Sequence, residues 1–405
     1  MCALVTQPNE KSIATFDIAN SHSSYVYEFA MLSNEGEVGH SFNCISLVKL
    51  AMSPIKMVLP QESMMEVVQV VPALYAPEVI TFTYPSYWAT PEPYLESDAL
   101  SLESNMREWL APVLTTPALN KRFLGANIAG HGGHARVIGG RSGNYDGAVL
   151  ITKFVALFTM WDDFIETTAD PAPHVALIKR VADGFRDPQA QGFLALWQDY
   201  VDFASSLHQG SSYDRFHRAL YDWLDSILDE VTMTHDDMNN LDKLWHVRKT
   251  SMSTYLLLAH LEVVSRVSLP DSLLQSDEMQ QIFEYLAVDH RLFNELVSLP
   301  KDILGQEAGN ILYVTMQIKK WDLQTALNDA LKQHQACVAG VDGLQKKLEE
   351  KTIGTLKDDL GRFLNFSRHL FLGAQEWHAN AKRYSKVQIV DHKNQTVYKF
   401  RVQQG

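Results

Sequence analysis

The chain has 405 residues, of which 46% are hydrophobic and 20% are charged. This is the composition of a globular protein with a sizeable core, and it excludes a disordered chain. The formal net charge of −13 argues against a nucleic-acid-binding surface, because neutralising phosphates requires a basic surface. Any anionic substrate must therefore be held by local cations or by metal ions.

The cysteines and the apolar runs indicate the compartment. Cys2, Cys44 and Cys337 lack metal-ligand spacing, which favours a reducing environment. The first residues lack the apolar stretch of a signal peptide, and the longest apolar runs are too short to span a bilayer. We therefore expect a cytoplasmic protein with no membrane span.

The N-terminal region differs from the rest of the chain. Residues 41–52 (SFNCISLVKLAM) and 79–88 (VITFTYPSYW) are rich in β-branched and aromatic residues, which favours strands. We expect an extension over residues 1–60 that is partly β or irregular.

From about residue 101 onward, apolar residues recur at i, i+3 and i+4, the spacing of amphipathic helices. Short segments with proline and aspartate, such as 170–173 and 269–272, separate these stretches. The pattern predicts an all-α bundle of roughly ten helices, which we place in one domain over residues 61–385.

A glycine-rich segment, 125–143, contains Arg136 and Arg141. It lacks the GK[ST] ending and the strand–loop–helix setting of a nucleotide-binding loop. A flexible connection is the better interpretation.

One predicted helix ends in three carboxylates. Residues 154–169 (FVALFTMWDDFIETTA) are apolar almost all round up to Trp161, which indicates a central, buried helix, and Asp162, Asp163 and Glu166 follow within one turn. Like charges repel, and the C-terminal end of a helix disfavours anions. A hard divalent cation such as Mg²⁺ would relieve both effects, whereas a solvated helix end would tolerate them. The residues alone leave both interpretations open.

A second polar face lies in residues 293–302 (FNELVSLPKD). Asn294, Ser298 and Asp302 recur every four residues and therefore share one side of a helix. Pro300 should stop or kink that helix. By itself the stripe fits either a metal site or a solvated surface.

Two further features stand at defined intervals. Arg248 interrupts an amphipathic helix and precedes Asn294 by 294 − 248 = 46 residues, and the pair Arg383-Tyr384 lies near the C-terminus. Residues 386–402 alternate in polarity on both sides of His392-Lys393-Asn394, which predicts a hairpin within a tail over 386–405.

These motifs resemble those of the class I terpene cyclases, and the resemblance covers about residues 60–385. In that family an aspartate-rich DDxx(D/E) motif ends a central helix, and a motif (N/D)Dxx(S/T)xxxE lies on a facing helix. A diphosphate-sensing arginine stands 46 positions before the second motif, and an RY pair lies near the C-terminus. Lys301 matches the lysine that often precedes the last metal ligand, and Asn310 matches the asparagine that opens the next helix. The matching positions are Asp162, Asp163 and Glu166; Asn294, Ser298 and Asp302; Arg248; and Arg383 with Tyr384.

The second motif departs from the family pattern. Glu295 replaces the usual aspartate, Asp302 replaces glutamate and is one methylene shorter, and Pro300 lies between two ligands. We expect the proline to tilt the last turn and bring Asp302 to its metal. A weak third metal site is the alternative.

The resemblance implies a class I terpene synthase α-helical bundle that ionises and cyclises a linear prenyl diphosphate with release of diphosphate. It implies three Mg²⁺ ions, which Mn²⁺ can replace, held by the two acidic motifs. Arg248, Lys301, Arg383 and Tyr384 would grip the diphosphate. By the same analogy Met252 faces the substrate, and Ser251 links it to Arg248.

Two aromatic residues are candidates for the cavity wall. Phe154 and Phe158 lie eight and four residues before Asp162 on its own helical face, and their rings could stabilise a carbocation. Plain core packing is an equal alternative. We expect no nucleic-acid partner and either a monomer or a homodimer.

Three other classes of protein could share parts of this pattern. A chain-elongating prenyl transferase needs a second aspartate-rich motif where Asn294–Asp302 stands, and a squalene-synthase-like enzyme needs paired acidic motifs. A non-catalytic helical scaffold would not explain the 46-residue interval. A single helical domain favours farnesyl diphosphate, and hence a sesquiterpene, over geranylgeranyl diphosphate. The N-terminal extension and the hairpin tail are similar to those of fungal humulene-type cyclases.

Overall fold

The computed structural model describes residues 2–6, 12–20, 23–31, 81–85, 96–115, 144–305, 309–380, 387–392 and 395–400. The chain divides into two compact units, Met1–Ala76 and Pro77–Gly405. The predicted boundaries at residues 60 and 385 stay predictions. The β-type segment 41–52 and the glycine-rich segment 125–143 lie outside the described residues.

The first unit contains a three-stranded antiparallel sheet in the order β1-β2-β3. The central strand pairs with both neighbours, with Cys2 opposite Phe16 and Ser12 opposite Met31. The strands are β1 (Cys2–Thr6), β2 (Ser12–Asn20) and β3 (Ser23–Met31).

The second unit is a helical bundle, which confirms the predicted all-α class. Its described part holds thirteen helices, two of them single turns. They are α1 (Glu96–Leu110), α2 (Tyr145–Thr167), α3 (Ala172–Ala182), α4 (Gly192–Leu207), α5 (Ser211–Thr232), α6 (His235–Met238), α7 (Leu241–Ser251), α8 (Thr254–Ser265), α9 (Asp271–Leu274), α10 (Asp277–Gly305), α11 (Ile311–Lys319), α12 (Leu323–Lys351) and α13 (Thr355–Asn380).

A small sheet accompanies the bundle. The strands β5 (Val387–His392) and β6 (Gln395–Phe400) form the predicted hairpin, and β4 (Thr81–Pro85) pairs antiparallel with β6. The sheet order is therefore β4-β6-β5, and β5 also contacts α13. The β-type pattern at 79–88 thus marks a strand that the C-terminal hairpin completes.

Helix α8 lies at the centre of the bundle and contacts α2, α5, α7, α10 and α13. It is antiparallel to α2, because the backbone N–H of Asn144, which precedes α2, donates to the carbonyl of Val264 at the end of α8 (3.3 Å). Gly147 permits this close approach, since a Cβ there would meet the Val264 Cα at 2.8 Å. The prediction that the helix carrying Asp162, Asp163 and Glu166 is central and buried is confirmed.

Aromatic side chains fill the core between α2, α4 and α5. Trp161, Trp197 and Trp223 are almost completely buried, and their ring centroids are 5.5 to 5.8 Å apart. Such contacts stabilise a core beyond the burial of area alone. No helix in the described ranges is both long enough and apolar enough to cross a membrane.

A buried chain of hydrogen bonds lies behind these aromatic rings. His208 bonds to Ser212 through Nδ1 (2.8 Å) and to His260 through Nε2 (2.9 Å), and His260 bonds to the Tyr200 hydroxyl (2.7 Å). Burial lowers the pKa of His208 to about 4, with a further contribution from Arg215, and burial also lowers the pKa of His260. Both imidazoles are therefore neutral in the folded protein at neutral pH.

We predict that stability falls as the solution becomes acidic. The unfolded chain protonates these imidazoles near their ordinary pKa of about 6.5, whereas the folded chain resists protonation of His208 down to about 4. The free energy of unfolding should therefore decrease as the pH falls from about 6.5 towards 4. Melting temperatures between pH 7.5 and 5 would measure this slope. His208→Gln should flatten it, whereas His235→Gln, at an exposed site, should retain it. An unchanged slope in His208→Gln would contradict this assignment.

Candidate active site

The aspartate-rich end of α2 and the break between α7 and α8 lie at the same end of the bundle. Because α2 and α8 are antiparallel, the C-terminal end of α2 points towards the start of α8. Trp223 of α5 connects the two regions. Its ring lies 5.8 Å from that of Phe158, and its indole N–H donates to the carbonyl of Ser251 at 3.0 Å.

The break between α7 and α8 is a defined backbone feature. Helix α7 ends at Ser251, and Ser253 adopts a left-handed conformation (φ 63°) before α8 begins. This conformation is uncommon for a residue other than glycine and often occurs at functional sites. Ser251 Oγ donates to the carbonyl of Arg248 (3.3 Å), and Met252 Sδ accepts from Arg291 Nη1 (3.6 Å). Ser251 thus contacts the main chain of the predicted sensor, and the Met252 thioether lies against α10.

Helix α10 carries the second motif and continues beyond Pro300 to Gly305. Of the two predicted effects of Pro300, the helix stop is therefore wrong, and the kink stays a prediction. A proline in a helix interior removes one backbone hydrogen bond without necessarily ending the helix. Beyond the proline, the buried side chain of Asp302 bonds to Ser298 and Asn310, which ties this turn to the preceding one and to the start of α11. The predicted tilt of the last turn stays a prediction.

The oxygen-bearing side chains of α10 lie close together. Ser298 Oγ donates to Asp302 Oδ2 at 2.5 Å, and both side chains are buried, whereas Asn294 is half-buried. An amide oxygen, a hydroxyl and a carboxylate on one face form the all-oxygen donor set that Mg²⁺ prefers. The chemistry of these residues therefore fits a hard divalent cation.

Asn310 ties this face to the next helix. Its amide nitrogen donates to Asp302 Oδ2 (2.8 Å) and Ser298 Oγ (3.2 Å). Its amide oxygen accepts from the backbone N–H groups of Leu312 and Tyr313 and so caps α11. The family resemblance predicted that Asn310 opens the next helix, and the structure adds its contacts to Ser298 and Asp302.

Arg248 lies within a buried cluster of charges. Its Nε donates to Glu295 Oε1 at 3.2 Å, and its Nη1 forms an ion pair with Glu230 of α5. Glu295 is completely buried, also pairs with Arg291, and accepts from the backbone N–H of Ile311 (2.7 Å). Arg248 of α7, which precedes Asn294 by 46 residues, thus lies beside the second motif on α10.

Burial and neighbouring charges shift the titration of this cluster. Burial lowers the pKa of Arg248, but the carboxylates of Glu230, Glu295 and Asp302 outweigh it and raise the pKa above its ordinary value. Burial raises the pKa of Glu295, and Arg248 acts in the opposite direction. The groups in contact with this carboxyl are donors, two guanidinium groups and a backbone N–H, which is the environment of an ionised carboxylate.

Arg291 and Glu230 were not identified from the sequence as members of this cluster. Arg291 precedes Glu295 by four residues on one helix, so its pairing with Glu295 could have been found from that spacing. Glu230 is 18 residues from Arg248 on another helix, and no local pattern indicates their contact.

The carboxylates at the end of α2 are only partly enclosed. Asp162 and Asp163 are half-buried, Glu166 is exposed, and the last turn of α2 has no basic residue. In the part of the chain that the structure describes, no three acidic, histidine or cysteine side chains converge into a metal site. A metal ion at this helix end would thus need further ligands, which the oxygens of a bound diphosphate can supply.

The remaining predicted residues divide into three groups. Phe154 is completely buried, and its ring centroid lies 5.6 Å from that of Trp223, which fits the core-packing alternative. Phe158 is half-buried. The backbone of Lys301 belongs to α10, and its side chain lies outside the described part of the chain. Arg383 and Tyr384 also lie outside the described residues.

Comparison with known proteins gives concordant matches. A family model described as terpene synthase family 2, C-terminal metal binding, matches residues 153–339, which include Arg248 and both predicted metal motifs. Terpene cyclase braA from Annulohypoxylon truncatum is 21% identical over 268 residues, which cover 60% of this chain and 70% of that protein.

Solved structures show the same fold. Hedycaryol synthase in complex with HEPES superposes with a TM-score of 0.61 and 16% identity, covering 73% of this chain and 99% of that chain. Germacradien-4-ol synthase from Streptomyces citricolor superposes with a TM-score of 0.62 and 11% identity, covering 73% and 97%. The chain therefore has the class I terpene synthase fold, and its residues 153–339 match the metal-binding region of the terpene synthase family.

Proposed function

We propose that this protein is an Mg²⁺-dependent cyclase that converts farnesyl diphosphate to a sesquiterpene hydrocarbon and releases diphosphate. One observation supports it most: the aspartate-rich end of α2, Arg248 and the oxygen-donor face of α10 lie at the same end of the bundle. A prenyl transferase would need a second aspartate-rich motif on α10, where Asn294, Ser298 and Asp302 stand instead.

The proposed reaction begins with heterolysis of the allylic C–O bond, in which the electron pair leaves with the diphosphate. Mg²⁺, when bound, supplies Lewis-acid stabilisation of the charge that develops on the leaving group. Asp162, Asp163 and Glu166 would hold two ions, and Asn294, Ser298 and Asp302 would hold a third. Arg248, which is half-buried and permanently charged, would donate to diphosphate oxygens, with Lys301, Arg383 and Tyr384 as further donors.

The chain's apolar residues would then protect the carbocation. Water must be excluded, because it would capture the cation before ring closure. The partly exposed ring of Phe158 lies beside Trp223, so aromatic faces adjoin the end of the bundle where the cation would form. Loss of a proton from the cyclised cation would give a neutral hydrocarbon.

The test is incubation with geranyl, farnesyl and geranylgeranyl diphosphates in Mg²⁺ or in EDTA, with product analysis and measurement of released diphosphate. We expect a cyclic C15 hydrocarbon from farnesyl diphosphate only when Mg²⁺ is present. Conversion of geranylgeranyl diphosphate alone would overturn the assigned chain length, and release of diphosphate from none of the three would overturn the function. Product analysis would also decide whether the skeleton is of the humulene type.

The same assay tests the aspartate-rich motif. Asp162→Ala should abolish cyclisation, because it removes a carboxylate from the predicted face for Mg²⁺. The melting temperature should stay equal or rise slightly, since three like charges end α2 without a basic residue in its last turn. Asp163→Ala should be milder, because Asp163 points about 100° away from the face shared by Asp162 and Glu166. A large fall in the melting temperature of Asp162→Ala would instead assign Asp162 a structural role.

A further inference from the structure

The Arg248 guanidinium is paired with two carboxylates. Its Nη1 contacts Glu230 of α5, and its Nε contacts Glu295 of α10. Counting Arg291 and Asp302, which adjoin the same cluster, gives two positive and three negative groups, a sum of 2 − 3 = −1. A diphosphate anion approaching this cluster would therefore meet no excess of positive charge among the residues that the structure describes here.

The two carboxylates are held very differently. The Glu295 side chain is 0% exposed, pairs with a second arginine, and accepts a backbone hydrogen bond from Ile311. Releasing it would leave two guanidinium groups buried without their carboxylate, which is strongly unfavourable. Glu295 is thus a fixed partner of Arg248.

Glu230 occupies the opposite situation. Its side chain is 21% exposed and stands in the last turn of α5, which has no basic residue. The negative end of the helix dipole disfavours a carboxylate there. Turning Glu230 outward would return its charge to water and free one face of the Arg248 guanidinium, while Glu295 keeps that side chain in place.

We propose that Glu230 is an anionic placeholder that occupies Arg248 until a diphosphate displaces it. This inference rests on the proposed function, in which Arg248 binds the diphosphate. The exchange of one anion for another keeps the buried guanidinium paired in both states. It also makes Arg248 available mainly when a substrate headgroup is present to compete for it.

The test is calorimetric titration of inorganic pyrophosphate into the full chain in excess Mg²⁺. Glu230→Gln keeps the size of the side chain and removes its charge, so pyrophosphate should bind about threefold to tenfold more tightly than to the parent. Glu278→Gln is the matched control. Its side chain is 23% exposed and pairs with Lys351 on the surface, so this variant should bind pyrophosphate as the parent does.

A positioning role for Glu230 would have the opposite outcome. If Glu230 only held Arg248 in place for the diphosphate, Glu230→Gln would bind pyrophosphate more weakly, and equal or weaker binding overturns the proposal. Should Glu230→Gln not fold, Glu230→Asp shortens the side chain by one methylene and should tighten binding to a smaller degree. A parent protein that turns over farnesyl diphosphate while Glu230→Gln and Glu230→Asp fail to tighten binding contradicts only the placeholder. A parent that neither binds pyrophosphate nor turns over any prenyl diphosphate contradicts the proposed function and the placeholder together.

Discussion

Arg248→Ala is expected to lower kcat/KM with farnesyl diphosphate by roughly 30- to 1,000-fold. A buried cationic donor aimed at a developing anion typically contributes about 2–4 kcal/mol to the transition state, and each 1.36 kcal/mol is about tenfold in rate. The guanidinium is already held by Glu295, so little reorganisation would be needed when the leaving group develops charge. Arg248→Lys should recover only part of the loss, because a lysine cannot reproduce the forked donor geometry.

The adjacent residue provides a matched control for this prediction. Lys249 lies on the same helix, carries the same charge and has a side chain that is 17% exposed, compared with 16% for Arg248. Its amine instead pairs with Glu284. Lys249→Ala should keep near-normal turnover when both variants are assayed below their melting temperatures. Equal activities in the two variants would remove Arg248 from the proposed mechanism and with it the functional meaning of the 46-residue interval.

Glu295→Gln is expected to cause the largest loss of stability. The substitution keeps the shape of the side chain but leaves Arg248 and Arg291 buried beside a neutral amide, and breaking a buried ion pair in this way typically costs about 3–5 kcal/mol. The amide would also place a donor beside guanidinium groups if its NH₂ faced them. Urea unfolding of the metal-free protein would measure the change.

Glu278→Gln again serves as the control, since it removes one carboxylate from a surface pair with Lys351. Its unfolding midpoint should stay close to that of the parent. A Glu295→Gln protein as stable as the parent would show that the Glu295 carboxyl is already neutral in the folded state. In that case the described cluster would hold two positive and two negative groups, with a net charge of 2 − 2 = 0.

Local patterns in the sequence were sufficient to predict the class of the fold. The spacing of apolar residues predicts α2, α5 and α10. A helix buries one face, so its apolar residues recur about every 3.6 residues, and this period is visible in the sequence itself. Alternation of polarity predicts the hairpin of β5 and β6, because successive side chains of a strand point to opposite faces of the sheet. The aspartate-rich and second motifs are likewise local, since their members lie within one or two turns of each other.

The sequence by itself therefore determined the helical bundle, the C-terminal hairpin and the residue types available for metal and diphosphate. Only the tertiary structure decided that α10 continues through Pro300, because the contacts of the buried Asp302 with Ser298 and Asn310 stabilise the turn beyond the proline despite the lost backbone hydrogen bond. It also decided which charges meet: Glu230 of α5 and Glu295 of α10 converge on Arg248 of α7 through the packing of three helices. Contacts between helices that are distant in the sequence produce no periodic pattern of residues. They depend on how the apolar faces of the helices pack together, and the residue spacing within a single helix does not determine that packing.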